Sequence, residues 1–356
     1  MLSAAKHLLF LTESKQKQIP RSARDDMVGA FFIRLLDWRR TVCFVLLTWC
    51  VVPILLLRAV AASPGPVPGA PRPPVTKIEC SSLSSAILGR SVSYCVALPG
   101  DYAASTTRYP TLYFLHGLFE NERSWSERGG QEVLDGLLGQ GQVGEFLVVL
   151  PDGGKTFYIN SLDGHERYED FFIQELVPAI DRTYRTLPDR QARGISGTSM
   201  GGYGSLHLSM RHADVFGSAS AQSAALLPKF PNPIPTEGRW GFYARILQGP
   251  FGSPLNEAYW DANNPLTLAE HPEHFVNLKL YFDCGDNDRY GFEEGAQLLD
   301  KILTEKAFRH EFALRPGNHG WSYLSQYMKY ALLFHWQGFE QSGATAAHTG
   351  SKQGSH

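Results

Sequence analysis

The residues most suited to chemistry in this chain are a serine and the two glycines placed symmetrically around it, Gly197-Thr198-Ser199-Met200-Gly201. A serine hydroxyl attacks a carbonyl carbon only when a neighbouring base removes its proton. It must also stand clear of its own backbone, which demands a sharp turn. Glycine two residues before and two after removes the Cβ atoms that would clash in such a turn. The context agrees. Residues 193–198 read as a short buried strand after the polar Pro188-Asp189-Arg190, and residues 203–211 carry Leu206, Leu208 and Met210 and start a helix. Strand, serine, helix is the setting in which this five-residue pattern is a nucleophile turn rather than an idle glycine-rich one.

A base and an acid must follow it. His319 lies in Pro316-Gly317-Asn318-His319-Gly320-Trp321, directly after the last expected strand. His207 and His212 fall on the helix after the serine, His310 precedes a strand and His335 lies within the last helix, so His319 is the candidate base. Asp283, Asp286 and Asp288 follow one another at the end of the penultimate strand; Asp283 belongs to the strand, and of the two loop residues Asp288 is preferred. An EF-hand reading of this run fails on the spacing of its glycine and of any distal glutamate. Two backbone N–H groups are needed for a developing oxyanion. They are expected at Met200, next to the serine, and at Leu118 in His116-Gly117-Leu118. His116 itself reads as a residue orienting that loop.

The elements that must hold these groups alternate. Residues 75–80 and 91–98 form a hairpin, with Cys80 and Cys95 placed to face each other either as a disulfide or as free thiols. Strands are expected at 111–115, 146–150, 217–222, 278–283 and 311–315, and helices at 125–138, 168–184, 292–307 and 324–339. In 168–184, Phe172, Leu176, Ile180 and Tyr184 make one apolar face, and Pro178 kinks the helix or opens its second half. Residues 226–275 read as an irregular insertion. Its Phe230, Trp240, Phe242, Tyr243 and Trp260 either line a pocket or pack the insertion down. Trp125, Tyr158, Asn160 and Trp240 are the candidate substrate-binding residues. Alternating strands and helices give an α/β fold, a mostly parallel sheet covered on both faces, with ligands beyond the carboxyl ends of the strands.

The chain has 356 residues, a formal net charge of -2 and five cysteines. That charge gives no reason to expect nucleic acid as a partner, and no Cys/His cluster has zinc-ligand spacing, so no metal is expected. Residues 1–62 form an N-terminal extension: Arg39-Arg40, an apolar run at 41–57 and the small-residue site Ala59-Val60-Ala61 describe an export signal. The run is at the short end of the roughly 17–25 residues a membrane span needs. A cleaved signal is therefore expected, an uncleaved anchor being the alternative, with membrane contact confined to this segment; either Met1 or Met27 can be the start. Residues 63–74 are a proline-rich spacer, 75–340 the catalytic domain and 341–356 a small, polar tail expected to be disordered.

From about Val75 to Phe339 the chain resembles the esterase D / antigen 85 branch of the α/β-hydrolases. The stretches that carry the likeness are Tyr113-Phe114-Leu115-His116-Gly117, Leu150-Pro151-Asp152-Gly153-Gly154, Glu175-Leu176-Val177-Pro178, the serine turn, Asp283-x-Gly285-x-x-Asp288 and His319-Gly320-Trp321. The resemblance implies an eight-stranded sheet, a Ser199-His319-Asp288 triad, no cofactor, and hydrolysis or transfer of acyl groups. It also supports Asp288, which matches the acid of S-formylglutathione hydrolases. Antigen 85 mycolyltransferases usually carry Ser-Met-Ala-Gly where this chain has Ser199-Met200-Gly201-Gly202, and S-formylglutathione hydrolases are cytosolic. The expectation is thus an exported serine carboxylesterase acting on small-molecule, carbohydrate or phenolic acyl esters. Acyl transfer to a sugar or glycerol, a thioesterase and a non-catalytic envelope binding protein are the alternatives; oligomeric state is not legible.

Overall fold

The computed structural model describes residues 75–230 and 237–345, the Arg239 side chain excepted. The expected export segment, the proline-rich spacer and the tail beyond 345 lie outside them. Eight strands, β1 (Lys77–Ser85), β2 (Arg90–Leu98), β3 (Thr111–Leu115), β4 (Leu147–Pro151), β5 (Arg193–Thr198), β6 (Ser218–Gln222), β7 (Lys279–Gly285) and β8 (Glu311–Arg315), form one sheet in the order β1-β2-β4-β3-β5-β6-β7-β8. β1 pairs antiparallel with β2, and β2 with β4; all other neighbours are parallel. Along β3, Tyr113 and Leu115 enter one apolar layer and Leu112 and Phe114 the other, as the two-residue period of a strand requires. Both faces are therefore covered, and β3, β4 and β6 are buried at every position, the expected environment of parallel strands between helical layers.

The covering helices are α1 (Ser124–Glu127), α2 (Gly130–Gly139), α3 (Tyr168–Phe171), α4 (Val177–Thr183), α5 (Met200–Arg211), α6 (Gly238–Phe251), α7 (Glu257–Asn263), α8 (Pro265–Leu268), α9 (Phe292–Glu305) and α10 (Trp321–Gln341). Four expectations change. The helix expected at 125–138 is two, because Gly129 at φ 100° leaves the helical region between them. The segment 168–184 widens into a π turn, Phe172–Leu176, immediately before Pro178, where the Val177 N–H reaches back to the Phe172 carbonyl. Proline has no N–H to continue the ladder and its ring crowds the preceding turn, so the wider turn relieves both defects. Phe172, Leu176 and Ile180 remain on one buried face.

The insertion at 226–275 is mostly helical rather than irregular, holding α6, α7 and α8. Asn256 and Asn264 start α7 and α8 by accepting the Tyr259 and Leu266 N–H groups on their side chains. Helix α10 runs to Gln341, and Ala344 packs on the core, so residues 341–345 are ordered where a disordered tail was expected. The β1–β2 register places Cys80 opposite Cys95, and the two are bonded as a disulfide. Glu175 closes the same hairpin by accepting the Ala86 and Ile87 N–H groups at 3.0 and 3.2 Å.

Candidate active site

Ser199 occupies the junction of β5 and α5 at φ 56° and ψ -117°. A non-glycine residue there costs on the order of 1–3 kcal/mol, and its surroundings must hold it in place. They do: the Ser199 N–H donates to the Gln222 carbonyl at 3.0 Å, and its own carbonyl accepts the Tyr203 and Ala225 N–H groups. The flanking glycines are obligatory. A Cβ on Gly197 would lie 2.2 Å from the Gly201 carbonyl oxygen, and one on Gly201 would lie 2.0 Å from that of Leu115.

His319 and Asp288 come from loops after β8 and β7. The His319 Nε2 is 3.1 Å from Ser199 Oγ, and its Nδ1 is 2.7 Å from Asp288 Oδ2. A carboxylate only accepts, so Nδ1 carries the proton and Nε2 is left to accept from the serine hydroxyl. The ring is also fixed edge-on to Tyr290, 4.7 Å between centroids, and packs on Phe292. Asp288 is buried, and its second oxygen accepts the Tyr290 N–H at 2.9 Å.

The other two carboxylates have separate tasks. Asp286 accepts the Gly317 N–H at 3.0 Å and so pins the histidine loop. Asp283 faces into the core, taking hydroxyl donors from Tyr281 and Tyr323, and burial pushes its pKa up to about 6. Cys284 lies 3.7 Å from Asp288; burial pushes this thiol far up, keeping it neutral beside the acid.

Met200 and Leu118 both line the cleft at Ser199. Neither N–H donates a hydrogen bond to another described residue, which leaves both available to an oxygen in the cleft. The loop carrying Leu118 passes close by, since a Cβ on Gly117 would lie 3.5 Å from that of Ser199. His116 orients this loop. Its Nε2 accepts the Gly153 N–H at 2.8 Å, so its Nδ1 must donate to the Gly117 carbonyl at 2.7 Å.

The cleft encloses about 250 Å³ and is mainly apolar, with Phe157, Leu227, Phe242, Tyr243, Ile246 and Leu247 among its walls. The four residues expected to bind substrate do not line it. Trp125 is buried beside Phe114. Tyr158 is buried too and donates its hydroxyl to the His116 carbonyl at 3.0 Å, a support one layer behind the loop. Asn160 accepts the Asp170 N–H, and Trp240 packs between Phe230 and Tyr243. For Trp125 and Tyr158 the reason is shared: large side chains beside a cleft fill the layer that supports it. The insertion aromatics divide, Phe242 and Tyr243 lining the cleft while Phe230, Trp240 and Trp260 pack together.

Sequence reasoning missed Glu120, which lines the cleft and accepts from both the Gly117 N–H and the Trp321 indole N–H. Nothing in its spacing marks it, because its partners meet only after folding.

Residues 85–335 match the family model described as "Putative esterase". The chain is 30% identical over 244 residues to Esterase Rv1288 of Mycobacterium tuberculosis, covering 63% of this chain and 51% of that protein. It is 26% identical to an acetyl esterase of Caldicellulosiruptor saccharolyticus, covering 64% of this chain and 82% of the other. The chain thus spans about half the length of its mycobacterial relative. Among solved structures, a ferulic acid esterase superposes with a TM-score of 0.63 at 26% identity, over 74% of this chain and 98% of the other. A Staphylococcus aureus fluorophosphonate-binding serine hydrolase, FphF, superposes at 0.60 over 73% and 98%, and at 22% identity it shows the α/β-hydrolase fold.

Proposed function

The chain belongs to this esterase family, and from the geometry of its cleft we propose that it is a serine carboxylesterase that works through a covalent acyl-enzyme. Ser199 attacks the ester carbonyl while His319 Nε2 takes the hydroxyl proton; Asp288 keeps the imidazole in the required tautomer and stabilises its charged form. The Met200 and Leu118 N–H groups receive the developing oxyanion. His319 then gives its proton to the leaving alcohol, and water activated by the same nitrogen releases the acid.

The observation that carries this reading is the unbroken line Asp288–His319–Ser199, at 2.7 and 3.1 Å, on a serine held in a strained turn. The apolar walls suit a short or aromatic acyl group, and relatives named acetyl esterase and endo-1,4-beta-xylanase/feruloyl esterase support that substrate class. Export through the segment at 41–57 belongs to the same proposal, supported by the Cys80–Cys95 disulfide, a bond that persists in oxidising compartments.

The test is direct. The protein should hydrolyse p-nitrophenyl acetate and take up one fluorophosphonate per chain, both at Ser199. Ser199→Ala should abolish labelling and lower turnover by at least about 10⁴-fold while leaving the circular dichroism unchanged. Undiminished turnover in a clean preparation of that variant would end the proposal.

A further inference from the structure

Three charged or strained features on the serine face stand outside the proposed triad: Phe119, Glu120 and Arg128. Phe119 is two-thirds exposed yet held at φ 65°, a region that a bulky residue seldom occupies. The Glu120 N–H closes this turn on the Gly117 carbonyl at 3.2 Å. Gly117 to Glu120 is therefore a tight turn with a non-glycine residue where glycine is favoured, and Leu118, which lines the cleft and whose N–H has no acceptor among the described residues, lies inside it. Such a turn needs an external tie.

Glu120 supplies that tie. Its Oε2 accepts the Gly117 N–H at 2.9 Å, and its Oε1 accepts the indole N–H of Trp321, two residues beyond His319. Arg128 stands 3.6 Å from the same carboxylate and over the Trp321 ring. Every partner of the carboxylate is a donor, which only the ionised form satisfies on both oxygens. Glu120 thus joins the loop that offers the Leu118 N–H to the segment that carries His319.

We propose that Glu120 is a positioning residue: through Gly117 and Trp321 it holds the oxyanion loop and the histidine loop in mutual register. The proposal rests on the serine-esterase reading. It acts on the transition state, because the Leu118 N–H meets a full negative charge only there, so its loss lowers kcat more than it raises KM.

The experiment compares wild type, Glu120→Gln, Glu120→Asp, Trp321→Phe and the Glu120→Gln/Trp321→Phe double variant. Each is assayed for p-nitrophenyl acetate turnover and for inhibition by an aryl trifluoromethyl ketone, which forms a tetrahedral oxyanion adduct. Gln keeps the size of Glu120 but turns an amide N–H towards one of two N–H donors. A tenfold or greater fall in kcat is expected, with KM within threefold and the ketone Ki raised in proportion to the loss of kcat/KM. Asp keeps the charge but is too short to span both partners, and should not restore kcat. The double variant should be no worse than about twofold below the poorer single one, since either change cuts the same bridge.

Multiplicative losses in the double variant, full activity of Glu120→Asp, or an unchanged ketone Ki in Glu120→Gln would each overturn the proposal. Should Glu120→Gln fail to fold, Trp321→Phe alone decides: it cuts one arm of the bridge, and unchanged kcat and ketone Ki there refute it. A wild-type protein with no Ser199-dependent turnover indicts the esterase reading instead, which separates the two failures.

Discussion

Two histidines among the described residues bring Nε2 to a serine Oγ at nearly equal distance, and the two pairs are built differently. In the cleft, His319 Nε2 is 3.1 Å from Ser199 Oγ; in the core, His335 Nε2 is 2.9 Å from Ser220 Oγ. Distance alone would choose the wrong pair. What separates them is the atom on the far side of each ring. Behind His319 stands a carboxylate, which fixes the proton on Nδ1 and leaves Nε2 to accept. Behind His335 stands the Ser218 hydroxyl at 2.8 Å, and Ser220 donates its own proton to Ser196 at 2.8 Å. His335 Nε2 must then donate to Ser220, so the proton points towards the serine rather than away from it. Burial also depresses the His335 pKa to about 3, keeping it neutral. A histidine with hydroxyls on both sides is a polar tie between α10 and the sheet; one that lines a cleft and is backed by a carboxylate has the geometry of a base.

The largest expected effect breaks the cleft pair at its back. Asp288→Asn should lower kcat about 10⁴-fold with little change in KM or melting temperature, the scale of a wrong tautomer in a serine hydrolase. Steady-state kinetics and a thermal melt check it, and a loss below tenfold would mean that the carboxylate does not set the ring's proton.

The core pair should answer to pH instead. The folded pKa of His335 is depressed, so its neutral form contributes stability above the unfolded value of about 6.5, and that contribution is lost as pH falls towards 3. His335→Gln should therefore flatten the fall in unfolding free energy between pH 7 and pH 4.5 in urea titrations. Equal slopes for variant and wild type would remove this histidine from the acid response.

The smallest effect sharpens the contrast. Ser220→Ala should leave p-nitrophenyl acetate turnover within about twofold and cost about 1–3 kcal/mol of stability, because it strips partners from a buried imidazole. A turnover loss approaching that of Ser199→Ala would erase the distinction between the two sites.

The chemistry-bearing residues were legible because each lies at a strand end marked by local pattern. Gly197-x-Ser199-x-Gly201 announces a turn that only glycine permits, and Asp288 and His319 follow strands with the apolar centres Leu280-Tyr281-Phe282 and Phe312-Ala313-Leu314. The walls of the cleft were not legible. Trp125 and Tyr158 are buried in the layer behind the site, Asn160 accepts the Asp170 N–H and Trp240 packs within the insertion, none of which their types or positions record. The helical insertion also escaped, since Gly238–Phe251 contains two further glycines and an internal proline, and its apolar face shows only against the cleft.

The sequence by itself determined which groups are chemically able: a nucleophile on a strained turn, a base and an acid in the order the fold supplies them, and the two-sided burial of the central strands. Periodicity and backbone sterics are local, so they can be read from neighbours in the chain. Tertiary structure decided which way each ring points, which serine–histidine contact is backed by a carboxylate, and that Glu120 meets Trp321. Those outcomes depend on hydrogen-bond partners far apart in the chain, and no spacing along the chain records them.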